Sequence, residues 1–150
     1  MADGIFNSAR GKIAYYASHP LAADSIVVVL LKAANLEGDD TLNNYTTLAA
    51  ITGSTNRECD FTNYARRTLT ITATVDNAAN TSTVSAADFT FTAAGGTANN
   101  DVGKLLICYK PDTASADSAI IPLTYHDCVV TTTGADIPIT VPAGGFWSSH

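Results

Sequence analysis

The stretch from Lys104 to Cys128, KLLICYKPDTASADSAIIPLTYHDC, constrains the fold more than any other. Leu105, Leu106, Ile107, Cys108 and Tyr109 form an apolar run, Lys110-Pro111-Asp112-Thr113 opens a loop of small residues, and Ile120 to Tyr125 form a second run. Two β-rich runs joined by a polar loop of this length read as an antiparallel strand pair. It is the longest concentration of strand formers after the N-terminal third, which places it at the centre of a sheet. Val129-Val130-Thr131-Thr132 prolong its second strand. The rest of the composition agrees. Charged residues make up only 15% of the chain, against about a quarter in ordinary domains, threonine is abundant, and glutamate occurs only at Glu37 and Glu58. Such a chain favours strands and loops over exposed helices. Its 150 residues read as a single domain, 1–150, with a core of its own.

Upstream of the pair, Ile5, Ala9, Ile13 and Tyr16 recur at helical spacing, with Arg10 and Lys12 off that stripe. Gly4 and Gly11 weaken a helix, so residues 1–20 are either one short helix over 4–18 or an arm that orders against a partner. Pro20 ends the segment. Ser25 to Lys32 (SIVVVLLK) is apolar without alternation, as expected of a strand covered on both faces. Asp39 or Asp40 would cap a helix over 41–51, with Leu42, Tyr45, Leu48 and Ala49 on one face. From Thr68 the pattern alternates, with Leu69, Ile71, Ala73 and Val75 opposite threonines, the mark of a half-buried strand. Thr83 to Ala93 alternates again, with Phe89 and Phe91 on one face. Ile137, Ile139 and Val141 do the same, but Pro138 and Pro142 confine that segment to an edge. The tail, 143–150, carries Phe146-Trp147 behind Gly144-Gly145 and either plugs its own domain or packs on a neighbour.

Charge and cysteine content exclude several classes. The net charge is −6, and after Arg67 only Lys104 and Lys110 are basic, against seven aspartates. That surface repels phosphate backbones, so nucleic acid is not expected as a partner. The start MADGIFNSARGK does not read as a signal peptide, and the apolar run Ile26 to Leu31 is too short to span a bilayer. No membrane partner is expected. Cys59, Cys108 and Cys128 lack C-x-x-C spacing and read as reduced, mostly buried thiols of a chain made in a cytosol.

The search for chemistry finds one cluster, His126-Asp127-Cys128. On a strand His126 and Cys128 share a face and Asp127 points away. The pair would offer two zinc ligands, completed only if the fold gathered Cys59, Cys108, His19 or His150. As a thiol nucleophile with a base, it lacks a glycine-rich oxyanion turn or an activating helix N-terminus. Asp39-Asp40 reads as a helix cap and not as an acid–base pair. Gly95-Gly96 lacks the lysine of a phosphate cradle. Arg66 and Arg67 fall on opposite faces of a strand entrance, and a solvated arginine or an intersubunit ion pair are the readings there. No catalytic, cofactor or metal residue is assigned.

The fold class is mainly β (α+β), as an antiparallel β-sandwich or jelly-roll-like domain with one or two short helices in the N-terminal third. Beyond this, MADGIFNSARGK, VVVLLKAANLEGDDTLNNYTTLAAI, DFTNYARRTL, TAAGGTANNDVGKLLICYKPDT, IIPLTYHDC and the terminal GGFW, in that order, resemble a family of small virion proteins of tailed bacteriophages, especially those of actinobacteria. These are associated with capsid decoration or minor capsid roles in the head. The similarity thins between about Ile71 and Ala87 and across Ala135 to Ala143, and family members commonly carry phenylalanine where Cys128 stands.

The resemblance implies a non-enzymatic protein bound in many copies to the outside of an icosahedral head, where it stiffens the lattice. Its partners would be the major capsid protein and copies of itself, in a homo-oligomer or symmetric array, on particles assembled in the bacterial cytoplasm. The docking residues expected are Ile5, Phe6, Arg10 and Lys12 of the segment Ala2–Lys12, with Phe146 and Trp147 of the tail, because a small domain need not expose apolar residues at its termini. The alternatives are another virion component (tail-tube, head–tail joining or fibre-associated) or a module for host-surface carbohydrate using Tyr15, Tyr16, Tyr109 or Trp147. A tail tube calls for a longer hairpin than Lys104–Cys128, and a carbohydrate site for exposed stacking aromatics.

Overall fold

The computed structural model describes residues 3–149; Ala2 and His150, named above, lie outside them. In chain order the elements are β1 (Gly4–Ile5), a 3-10 turn (Asn7–Ala9), α1 (Ile13–Ala17), β2 (Ser25–Lys32), α2 (Asp39–Leu42), α3 (Leu48–Gly53), β3 (Arg67–Leu69), β4 (Ile71–Asp76), β5 (Thr81–Ala86), β6 (Phe89–Phe91), β7 (Asp101–Lys110), β8 (Ile121–Thr131), β9 (Ile137–Ile139) and β10 (Trp147–Ser149). The chain is mainly β, and its sheets are antiparallel.

The largest sheet runs β1-β8-β7-β2-β3, with β7 at its centre. The organising pair is therefore where its residues place it, and of the expected extension over 129–132 all but Thr132 belongs to β8. Both neighbours of β7 pair along most of its length, and Ile26 to Leu31 of β2 are all buried. Registers such as Val28↔Ile107, Leu30↔Leu105 and Leu105↔His126 put these side chains on one face. Val29↔Leu106 and Leu31↔Lys104 occupy the other. The ladder steps past Gly103, where β2 and β7 lose register. A Cβ there would lie 2.9 Å from the Ala33 Cα and 2.8 Å from Leu36 Cδ2, so only glycine fits.

The second face is covered from the N-terminal third, and here the helices differ from expectation. Instead of one helix over 4–18, Gly4 and Ile5 pair with Tyr125 and Thr124 of β8, and helix is confined to Ile13–Ala17. The edge of β8 offers Ile5 ladder bonds, and Gly11, at φ +75, breaks any continuous helix. Phe6, expected at a docking surface, is wholly buried: its N–H donates to Leu123 O at 3.0 Å and its ring meets Tyr125 edge-on. The helix over 41–51 is two pieces. Gly38 is the N-cap of α2, with Asp39 and Asp40 in its first turn. Asn44 Nδ2 bonds back to Asp40 O, and Thr47 caps α3 by accepting from Ala50 N–H. Leu42, Leu48 and Ile51 reach the core from these two helices.

Two smaller sheets complete the described chain, β10-β5-β4 and β6-β9. The alternating stretch from Thr68 is divided at Thr70 between β3 and β4. Leu69 is buried, but Ala73 and Val75 are exposed, so the half-buried strand expected there is covered only at its start. The tail becomes β10, with Trp147 opposite Val84. Gly145, at φ +75, makes that possible, since a Cβ would stand 2.3 Å from Val84 O. The chain thus turns tightly enough for Phe146 N–H to donate to the same carbonyl at 3.0 Å.

Candidate partner-binding cleft

An open cleft of ≈ 570 Å³ lies against the first face of the large sheet. The sheet contributes Leu69, Leu105, Ile107, Thr124 and His126. The rest of the apolar lining comes from Phe89, Ile139, Val141, Pro142, Phe146 and Trp147, outside that sheet, while Ile5, in register with Thr124, adds to the sheet's share. Alternation explains the composition: Leu105, Ile107, Thr124 and His126 are in-register partners whose side chains share a face. The lining is mostly apolar, and the volume is that of a typical ligand or side-chain site.

The polar lining of the cleft is set by Asp3, immediately before β1. Asp3 accepts from the Asp127 N–H at 2.8 Å and pairs with His126 Nδ1 at 3.2 Å, while His126 Nε2 lies 3.0 Å from Thr124 Oγ1. Burial alone would raise the Asp3 carboxyl, but those bonds and the nearby Lys104 charge hold it below the usual range. His126 and Cys128 both line the cleft. The Cys128 thiol is pushed up by burial, and Cys59 by the same cause to about 12. All three cysteines are free thiols. An activated cysteine needs the opposite shift. Among the described residues, no three His, Cys, Asp or Glu side chains gather as a metal site.

The expected docking residues separate into three groups. Ile5, Phe146 and Trp147 come together, two chain ends meeting in one cleft. Phe146 and Trp147 are half-buried and packed on their own domain, so the tail partly plugs it and partly faces outward. Phe6 belongs to the core. Arg10 and Lys12 are exposed and line no part of the cleft. Of the aromatics considered for carbohydrate stacking, Tyr109 is buried and Tyr16 packs on it in a tilted contact, ring centres 4.6 Å apart, whereas Tyr15 is exposed.

Two ion clusters behind the cleft were not legible as such. Lys104, in sequence a surface base, is wholly buried: its Nζ lies 2.9 Å from Asp39, 2.7 Å from Asp127 and 4.9 Å from the Tyr125 ring centre. Burial would lower its pKa, but the two carboxylates outweigh that and hold it above the ordinary lysine value. The only available signal was its place between Val102 and Leu105 in a strand apolar on both faces. Arg66, expected in solvent or between subunits, instead clamps this chain, bonding Glu58 at 2.8 and 2.6 Å and Asp117 at 2.6 and 2.8 Å. Those bonds hold the Asp117 carboxyl below its usual range.

Comparison with family models, with curated proteins and with solved structures returns no match to this chain.

Proposed function

We propose that this chain is a structural protein of a phage virion, bound in many copies to the outside of the head, where it stabilises the lattice of major capsid protein. In this reading the large sheet and the smaller sheets form the two layers of a β-sandwich. The cleft between them receives an apolar segment of the capsid protein, and further copies of this chain complete the array. The supporting observation is the meeting of Ile5 with Phe146 and Trp147 at one open, apolar cleft. A partly exposed tryptophan beside an apolar pocket is the kind of anchor that carries binding energy. The acidic, threonine-rich exterior suits a protein made in large amounts.

The test is copy number. Quantitative mass spectrometry of purified virions against the major capsid protein should find hundreds of copies per particle, retained on emptied, tailless heads. Trp147→Ala should weaken decoration of such heads by about 30-fold, the loss of roughly 2 kcal/mol expected of a central aromatic anchor. A handful of copies would move the protein to a joining or fibre role, and absence from the particle would end the virion reading.

A further inference from the structure

We infer that β4 is an open sheet edge that pairs with the β4 of a second copy of this chain. Val84 of β5 gives its carbonyl to Phe146 N–H at 3.0 Å, so its backbone groups turn toward β10. Ala73, directly opposite Val84 in β4, therefore turns its own N–H and C=O away from β5. By the two-residue period, Ile71 and Val75 do the same. Among the described residues no hydrogen bond reaches the outward groups of Ala73 and Val75.

Natural edge strands are guarded by lysine, proline, a bulge or a covering element. Strand β4 (ITATVD) has no lysine or proline, and its six residues pair with β5 without a register shift. Residues 72–76 are exposed, and Val75 is 69% exposed although its face is the apolar one.

The occupant is named by self-complementarity. An antiparallel two-fold centred on Ala73 sets each Ile71 opposite the other copy's Val75, and each Thr72 opposite Thr74. These are favourable β-branched and threonine pairs, and they cover the exposed valine. Asp76 falls opposite Thr70, so no like charges face each other in a chain that carries −6. Its carboxylate is already engaged, accepting from the Ala78 and Ala79 N–H groups at 2.9 and 3.1 Å. A slip of two residues toward the turn would set the two Asp76 side chains diagonally across the pair, which disfavours that register against the one centred on Ala73. The result is a six-stranded sheet, β10-β5-β4 followed by its symmetry mate.

This deepens the self-association within the proposed function and rests on it only there, because solution mass tests it without any particle. Analytical ultracentrifugation of the full chain should show a concentration-dependent dimer of the 15.6 kDa chain. Ala73→Pro removes only an outward N–H and should weaken the dimer at least tenfold with unchanged circular dichroism. Val75→Lys, which guards the edge without touching the backbone, should do likewise. In a Cys128→Ser background, Ala73→Cys should oxidise to a symmetric dimer, since Cα atoms of a hydrogen-bonded antiparallel pair lie about 5.5 Å apart, within disulfide reach. A monomer at every concentration would overturn the inference. So would a dimer indifferent to both edge variants.

Discussion

Replacing Lys104 with methionine keeps the length of the side chain and removes the charge between Asp39 and Asp127. The magnitude follows from the surroundings. Breaking a buried ion pair typically costs about 3–5 kcal/mol, because a charge is left uncompensated. Here Nζ is wholly enclosed, but the two carboxylates keep side-chain exposures of 22% and 33%. Water can partly solvate what remains, so the lower end applies, about 3 kcal/mol. For a domain of this size that is a fall in Tm of roughly 6–12 °C. Urea unfolding followed by circular dichroism should show the midpoint move with the m-value unchanged. In the wild type a lysine raised in the fold supports it below about pH 10.4 and loses that support as pH climbs through the folded value. Asp39→Asn with Asp127→Asn, added to Lys104→Met, should restore much of the loss. A deficit under about 1 kcal/mol, or no recovery in the triple variant, would refute the account.

Asp24 is held below the usual carboxylate range, because bonds from Leu21 N–H, the Tyr109 hydroxyl and His19 outweigh the opposing effect of burial. Its contribution is present above the unfolded value near 3.9 and lost as pH falls through the folded one. Asp24→Asn should therefore lower Tm at pH 7 and narrow its gap to wild type in acid titration. In thiol labelling at pH 8, Cys128 should react first, while Cys59 and Cys108 wait for denaturant; one fast thiol at Cys108 would contradict the packing. Gly103→Ala should cost about 1–3 kcal/mol in urea, because its Cβ meets the Ala33 backbone, which cannot simply swing aside.

What could be read from residues alone was the part governed by local pattern. The runs of β2, of β7 from Leu105 and of the first half of β8 are rich in apolar residues because both faces are covered there, and that property survives without knowledge of partners. The helix over 4–18 failed because Ile5 had a competing use, a ladder place beside Thr124, that periodicity does not register. The helix over 41–51 broke because Asn44 and Thr47 offer the backbone side-chain bonds that end one helix and begin another. For the site, Ile5, Phe146 and Trp147 were legible as apolar residues near chain ends. Phe6 was misplaced by the same argument, since terminal position says nothing about burial. Lys104 and Arg66 were opaque because Asp39, Asp127 and Asp117 sit far along the chain from them, and only the fold brings them together.

Arg66 also bears on how long the fold lasts. Its guanidinium joins Glu58, in the segment before β3, to Asp117, in the loop between β7 and β8, 51 residues away. The Glu58 bonds are local, but the Asp117 bonds wait for the strands that carry its loop back, so that half of the clamp forms late and is absent from most of the folding barrier. Interactions of that kind slow escape from the native state without hastening arrival. The unfolding arm of a chevron, not the refolding arm, is where its loss would register. Arg66 is in this sense a latch, setting the lifetime of a folded copy and leaving its rate of assembly to the strands.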